Sequence, residues 1–224
     1  MYSKTKLSKR QIKEDKFAVF MLSAKSRLID YWQYAVIGAA AVILIAVGIV
    51  YYVNSLQSRK QESSERMARA IFDYRAGNNQ VAIMGLDQVV KEYGSEPAAE
   101  QAMFMLGHIN YETRNYPEAI RYYEMYLAKY HDNQLNRAGA LGGVAASMEN
   151  QGQFQQAAAK FLEAYDEYPD GPQTGDYQFG AMRNLLETGD TAQAKVHLQI
   201  ISEKFKDTDL ERRARRLFSE KSQS

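Results

Sequence analysis

Residues 103–131 read MFMLGHINYETRNYPEAIRYYEMYLAKYH, and their pattern recurs through most of the chain. Its central alanine, Ala119, is one of four alanines spaced 37 or 38 residues apart, the others being Ala82, Ala157 and Ala194. A larger side chain stands four residues after each alanine, and an aromatic ring stands eleven residues after it. The positions five and twelve residues before each alanine also correspond from copy to copy, and most of them hold a small residue. Five positions in one register over four copies indicate an internal repeat.

Each copy predicts a pair of helices. The position five residues before the alanine is Gly77, Arg114, Gly152 or Gly189. Glycine there favours a turn, because it accepts the left-handed conformation that often ends a helix. Polar or proline-bearing stretches separate the copies. One pair cannot bury its apolar face alone, so neighbouring pairs are expected to stack into an α-solenoid.

This register resembles the tetratricopeptide repeat over about residues 64–206. The copy at 103–131 carries Leu106-Gly107, Tyr116, Ala119 and Tyr123 at the family's spacing. The next copy carries Gly152, Phe154, Ala157, Phe161, Ala164 and Pro169. The outer copies depart from the pattern, with Arg69 at the Leu106 position and Leu198 in place of an aromatic residue. The longer period is similar to that of bacterial envelope proteins, including the division coordinator of the Tol-Pal system and outer-membrane assembly lipoproteins.

A second feature is the uncharged run YAVIGAAAVILIAVGIVYYV, residues 34–53. As a helix rising about 1.5 Å per residue, it is long enough to cross the hydrocarbon of a bilayer. Tyr31, Trp32 and Tyr34 flank one end and Tyr51 and Tyr52 the other, as aromatic residues do at membrane interfaces. A transmembrane helix is favoured over a buried core helix or a cleaved signal peptide, because the run has no polar outer face and no A-x-A site follows it.

Charge is distributed unevenly about this run. Residues 1–33 hold eight basic and three acidic residues, and the remainder holds twenty basic and twenty-four acidic. The positive-inside bias therefore predicts a cytoplasmic N-terminus and a large domain across the membrane. A mildly acidic domain does not favour a nucleic-acid partner.

The predicted fold class is all-α: one transmembrane helix, about four tetratricopeptide-type helix pairs, and a C-terminal capping helix. The predicted segments are a basic, amphipathic cytoplasmic stretch at 1–33, the transmembrane helix at 34–53, a linker or helix extension at 54–63, and the repeat domain at 64–222. Residues 11–31 are helical in pattern and could lie on the membrane, flank the anchor or dock a partner. The final helix could cap the solenoid or offer a basic patch.

No constellation for catalysis is visible. The chain has no cysteine, and its three histidines show no metal-ligand spacing. Phosphate-binding, dinucleotide-binding and zinc-protease motifs are also missing. The sequence therefore predicts no enzyme, no cofactor and no metal site.

What remains is a surface for proteins or unfolded peptide segments. In the tetratricopeptide family the first helix of each pair lines a concave groove, and carrying its positions over gives the candidates Met67, Ile71, Tyr74, Phe104, His108, Tyr111, Phe179 and Arg183. Aromatic and methionine side chains suit peptides of low specificity. Gly139, Gly142 and Gly143 could let a bound segment approach the backbone, or could only permit tight packing between repeats.

The layout of basic N-terminus, anchor and repeats resembles the ancillary subunit of the SecYEG translocon. That resemblance implies a protein of the bacterial inner membrane whose repeat domain lies in the periplasm, where it would act as a chaperone or ancillary subunit for envelope proteins. The alternative is a structural scaffold in a division or outer-membrane assembly complex.

Overall fold

A computed structural model describes residues 9–222 as nine α-helices, with no strand in that range. Side chains are described for residues 19–21, 25 and 31–222. The helices are α1 (Lys9–Arg75), α2 (Asn79–Glu92), α3 (Pro97–Glu112), α4 (Tyr116–Lys129), α5 (Gln134–Asn150), α6 (Phe154–Glu167), α7 (Thr174–Glu187), α8 (Thr191–Lys204) and α9 (Asp209–Lys221). The predicted all-α fold, with a long apolar helix, a repeat solenoid and a final helix, is confirmed.

The chain divides into two compact units, one ending at Gln57 and one beginning at Ser58. In the first unit, the large apolar side chains between Val36 and Val53 are 50–77% exposed. Tyr31–Arg75 is long and apolar enough to cross a membrane. Residues 11–30 are helical, but most of their side chains, and residues 1–8, lie outside the described part, so the amphipathic interpretation stays a prediction.

The second unit is a stack of helix pairs. The end of α1 and helices α3, α5 and α7 are the first helices of the four pairs, and α2, α4, α6 and α8 are the second helices. Tyr74 of α1 meets His108 of α3, α3 contacts α5, and α5 contacts α7, so successive first helices touch. Helix α9 packs against α7 and α8 at the end of the series. Three apolar clusters run through the stack, so the core extends along the solenoid rather than filling one centre.

The turn inside every pair has the same hydrogen bonds. In the first, the Gly77 amide donates to the Tyr74 carbonyl and the Asn78 amide to the Asp73 carbonyl. This arrangement ends a helix with one residue in the left-handed region. That residue has φ of 82° at Gly77, 61° at Arg114, 74° at Gly152 and 79° at Gly189. The predicted turns at these positions are confirmed, including the one without glycine.

The pairs interlock through aromatic rings set against glycines. A β-carbon on Gly107 would lie 2.7 Å from the Tyr123 ring, and one on Gly143 would clash with the same ring. Tyr123 on α4 therefore fills space against both α3 and the next first helix, α5. Phe161 on α6 packs against Gly180 on α7 in the equivalent way, with a β-carbon distance of 2.8 Å. In the last copy Leu198 stands at the Tyr123 position and Met182 at the Gly107 position, and the two share an apolar cluster. The larger methionine thus accompanies the smaller leucine.

Part of the predicted linker packs on the first repeat. The Arg59 and Arg66 guanidiniums lie 5.6 and 5.5 Å from the centre of the Tyr93 ring. Arg66 also forms ion pairs with Glu62 and Glu92, each at 2.9 Å. The hydrogen bond from Tyr93, and then the one from Arg66, lowers the pKa of Glu62. Residues 59–63 are thus helical, and Arg59 also donates to the Glu92 carbonyl at the end of α2.

Candidate protein-binding surface

The eight candidate residues stand on α1, α3 and α7, in three rows that repeat from one first helix to the next. We call these rows the groove face: Met67, Phe104, Gly142 and Phe179; Ile71, His108, Ala146 and Arg183; and Tyr74, Tyr111, Glu149 and Leu186. Met67 and Leu186 are buried, with 8% and 6% of their surface exposed. The other seven candidates are half-buried.

Two candidates point into the core. Met67 belongs to the first apolar cluster. The Phe104 ring meets the rings of Tyr123 and Tyr126 edge-on, with centroids 5.7 and 5.6 Å apart. Burial, and then a hydrogen bond to Glu100, raises the pKa of Tyr126 to about 12. These side chains support the face from behind and offer little surface to a partner.

The first half of the groove face carries an aromatic group. Tyr74 meets His108 edge-on at 6.3 Å, and Tyr111 lies 5.9 Å from Tyr116. His108 and Tyr111 are three residues apart on α3, so they share one side of that helix. The Tyr116 hydroxyl donates to Asn150 Oδ1 at 3.1 Å, which extends the group to α5. The sequence prediction missed Tyr116, because it begins a second helix.

The second half carries charge. Arg183 donates through Nε and Nη2 to both oxygens of Glu149, the Nη2 bond being 2.6 Å, and so links α7 to α5. Its guanidinium also lies 5.4 Å from the Phe179 ring centre. Arg213 of α9 lies at the same distance from that ring. Arg213 was predicted as part of a capping helix and not as part of this face.

The side chains in the middle of the groove face are small because aromatic rings of neighbouring helices occupy the space beside them. A β-carbon on Gly142 would lie 2.6 Å from the Tyr177 ring. Gly139 faces Phe104, and Gly143 faces Tyr123. Of the two predictions for these glycines, the structure supports tight packing between repeats.

The described residues contain no group of three or more His, Asp or Glu side chains placed to hold a metal ion. His197 on α8 instead contacts Gln178 on α7, with Nδ1 and Oε1 2.8 Å apart, and Gln178 is 1% exposed. Burial lowers the pKa of His197. This pair joins two neighbouring helices and lies away from the groove face.

Most of the repeats, and the helix before them, match a known protein family. A model of the tetratricopeptide repeat-like domain matches residues 25–167. The chain belongs to this family. Tetratricopeptide repeat proteins are typically interaction scaffolds rather than catalysts, and they bind proteins or peptides. A search of curated protein sequences found no match.

Solved structures share the tetratricopeptide repeat fold. A repeat protein from Parabacteroides merdae matches with a TM-score of 0.63 and 15% identity, covering 72% of this chain and 60% of that one. Nearly identical TPR-like repeats from Podospora anserina match with a TM-score of 0.56 and 16% identity, covering 71% and 84%. A MamA RS-1 double mutant matches with a TM-score of 0.54 and 18% identity, covering 67% and 80%. At these identities the likeness concerns the fold alone.

Proposed function

We propose that this tetratricopeptide repeat protein is a single-pass protein of the bacterial inner membrane, with its N-terminus in the cytoplasm and its repeats in the periplasm. Its groove face binds protein partners or unfolded segments. The favoured role is that of an ancillary translocon subunit or chaperone for envelope proteins.

The observation that carries the membrane assignment is the exposure of the apolar run. Ile37, Leu44 and Tyr51 are 64%, 72% and 77% exposed, and the rest of the run is similar. Such a surface is far larger than soluble proteins tolerate, whereas a bilayer accommodates it. A helix also satisfies its own backbone hydrogen bonds within lipid. The basic surplus of residues 1–33 supports the proposed orientation.

The binding role is supported by the groove face and by tethering. Tyr74, His108 and Tyr111 form a half-buried aromatic surface on two successive first helices. An anchor confines that surface to the membrane where envelope proteins emerge, and this raises its local concentration. Weak individual contacts then suffice for occupancy.

Location is tested by protease protection. Intact cells, spheroplasts and lysed spheroplasts are treated with protease, and fragments are detected with tags at each terminus. The proposal expects cleavage of the repeats in spheroplasts and protection of an N-terminal tag until lysis. Mass spectrometry of the intact protein shows whether residues 1–53 are retained. A processed chain that starts after residue 53 would show that the run is a signal sequence.

Binding is tested by photo-crosslinking in cells. A crosslinking amino acid replaces Tyr111 or Phe179, and matched controls carry it at Met84 or Val196, which are 65% and 55% exposed on second helices. Many client proteins at the groove positions support a chaperone, and one stoichiometric partner supports a structural scaffold. If combined Tyr111→Ala and Phe179→Ala leaves crosslinks from Tyr74 unchanged, the groove face is not the binding surface.

A further inference from the structure

A cationic group lies where the groove face ends, between α7 and α9. Phe179 and Arg183 belong to α7, and Arg213 belongs to α9, which packs against α7. Both guanidiniums lie 5.4 Å from the centre of the Phe179 ring. Arg216 stands one turn further along α9 and is exposed. Two elements thus bring arginines to one aromatic ring.

These arginines keep donors for a ligand. The Arg183 side chain is 37% exposed and uses Nε and Nη2 for Glu149, which leaves Nη1. The Arg213 side chain is 47% exposed and faces Asp209 through Nε at 3.2 Å, which leaves both terminal nitrogens. A planar guanidinium with two terminal nitrogens matches a carboxylate in geometry and charge.

Helix α9 adds to the positive potential. It carries five basic and three acidic side chains within Asp209–Lys221. Arg216 occupies the register position that Phe179 occupies on α7, so it continues the first row of the groove face beyond the fourth repeat, and Arg213 stands one turn before it. Some basic residues of the final helix therefore lie at the binding surface and do not merely form the solvent-exposed face of a capping helix.

We propose that Phe179, Arg183, Arg213 and Arg216 form a site for an acidic polypeptide segment. The inference rests on the proposed function, because it gives the chemistry of the partner at one end of the same face. The ring contacts the apolar parts of the segment, and the guanidiniums bind its carboxylates. With the aromatic group of Tyr74, His108 and Tyr111 at the other end, a bound segment takes one direction, with its acidic part toward α9.

Binding of two peptides to the full chain in phosphatidylcholine nanodiscs tests the site. Each peptide has about fifteen residues and the same apolar side chains, one carrying Asp and Glu and the other Asn and Gln at the same positions. Fluorescence anisotropy is read at about 0.05 M and 0.3 M salt. We expect the acidic peptide to bind roughly tenfold more tightly at low salt and to lose most of that preference at high salt.

The decisive variant is Arg213→Gln with Arg216→Gln. It should lower the preference for the acidic peptide by about fivefold while the neutral peptide binds as before. The matched control, Lys206→Gln with Arg212→Gln, removes the same charge from exposed positions away from Phe179 and should keep the preference. Circular dichroism confirms that both variants fold.

The remaining outcomes separate the two proposals. Equal binding of both peptides, or a preference that survives in the decisive variant, overturns the acidic site and leaves the groove face intact. Failure of both peptides to bind overturns the groove face as well. A third outcome is that the chain binds phosphatidylglycerol vesicles but not the acidic peptide, and that the decisive variant no longer binds the vesicles. The arginines would then face a lipid surface, and the peptide site would be wrong.

Discussion

The Tyr123 ring occupies the space that a β-carbon on Gly143 would need. Tyr123 lies on the second helix of the second pair, and Gly143 lies on the first helix of the third pair, so this contact joins two repeats. Burial also raises the pKa of the Tyr123 hydroxyl. Contacts of this kind hold a solenoid together, because each repeat depends on its neighbours for stability.

Gly143→Ala is expected to destabilise the protein. Alanine gains about 1 kcal/mol over glycine inside a helix, while overpacking a rigid core costs about 1–3 kcal/mol. The backbone of α5 and the ring of Tyr123 are both held by neighbours, so the clash should outweigh the gain. Urea denaturation followed by circular dichroism measures the free energy of unfolding.

The control for this prediction is Gly139→Ala on the same helix. Its β-carbon would lie 3.2 Å from the tip of the Phe104 ring, a looser contact than the clash at Gly143. This variant should therefore be clearly more stable than Gly143→Ala. In a Tyr123→Leu background, Gly143→Ala should cost less free energy of unfolding than it does in the parent, and an equal cost in both backgrounds would contradict a clash with the ring.

Arg114→Gly is expected to stabilise the protein. Arg114 has φ of 61° at the position where the other three repeats have glycine. A side chain in this region costs roughly 1–2 kcal/mol, and Arg114 is exposed, so little is lost with it. The melting temperature should rise by a few degrees. Gly152→Ala, the reverse change in the next repeat, should lower it, and a rise there would argue against backbone strain.

The Glu149–Arg183 pair should couple α5 and α7 measurably. The two side chains are 18% and 37% exposed, and two hydrogen bonds join them. We expect a coupling energy of about 1 kcal/mol in a double-mutant cycle of Glu149→Gln and Arg183→Gln. Arg183→Gln alone should cost more than Glu149→Gln alone, since it leaves the more buried charge unpaired.

The exposed pair Lys160–Glu163 provides the comparison. Its side chains are 33% and 51% exposed and lie three residues apart on α6. A cycle at this pair should give only about 0.3 kcal/mol. Equal coupling energies at the two pairs would show that burial and two-point hydrogen bonding do not strengthen the Glu149–Arg183 pair.

His197 should make stability depend on pH. Burial lowers its pKa in the folded protein below the ordinary value of about 6.5, which the unfolded chain keeps. The unfolded chain therefore binds the proton first as pH falls, so stability is full at pH above about 7 and declines until the folded pKa is reached. His197→Gln should flatten the profile of unfolding free energy between about pH 7.5 and 5.5. A profile that keeps its slope in His197→Gln would contradict this assignment.

Much of the fold was predictable from local pattern. The register of Ala119 placed four helix pairs and their turns, including the left-handed Arg114. Periodicity reports such features well, because each repeat obeys the same steric rules along its own short stretch. The uncharged run at 34–53 indicated an apolar helix for the same reason, since length and composition alone decide whether a helix can span lipid.

The candidate surface was less predictable, because a register position shows which face of a helix a residue occupies but not which side chain of another helix packs against it. Phe104 and His108 lie one turn apart in neighbouring predicted rows, yet Phe104 packs on Tyr123 and Tyr126 while His108 meets Tyr74. Gly142 is small because Tyr177 needs its space. Arg213 joins Phe179 only because α9 folds back against α7.

The sequence by itself determined the repeat, the turns and the apolar helix, all of which depend on residues close together in the chain. The tertiary structure alone decided which side chains meet across repeats and which remain for a partner. Such contacts depend on how closely two helices approach, and that distance is set by the packed volumes of residues more than thirty positions apart, as at Glu149 and Arg183.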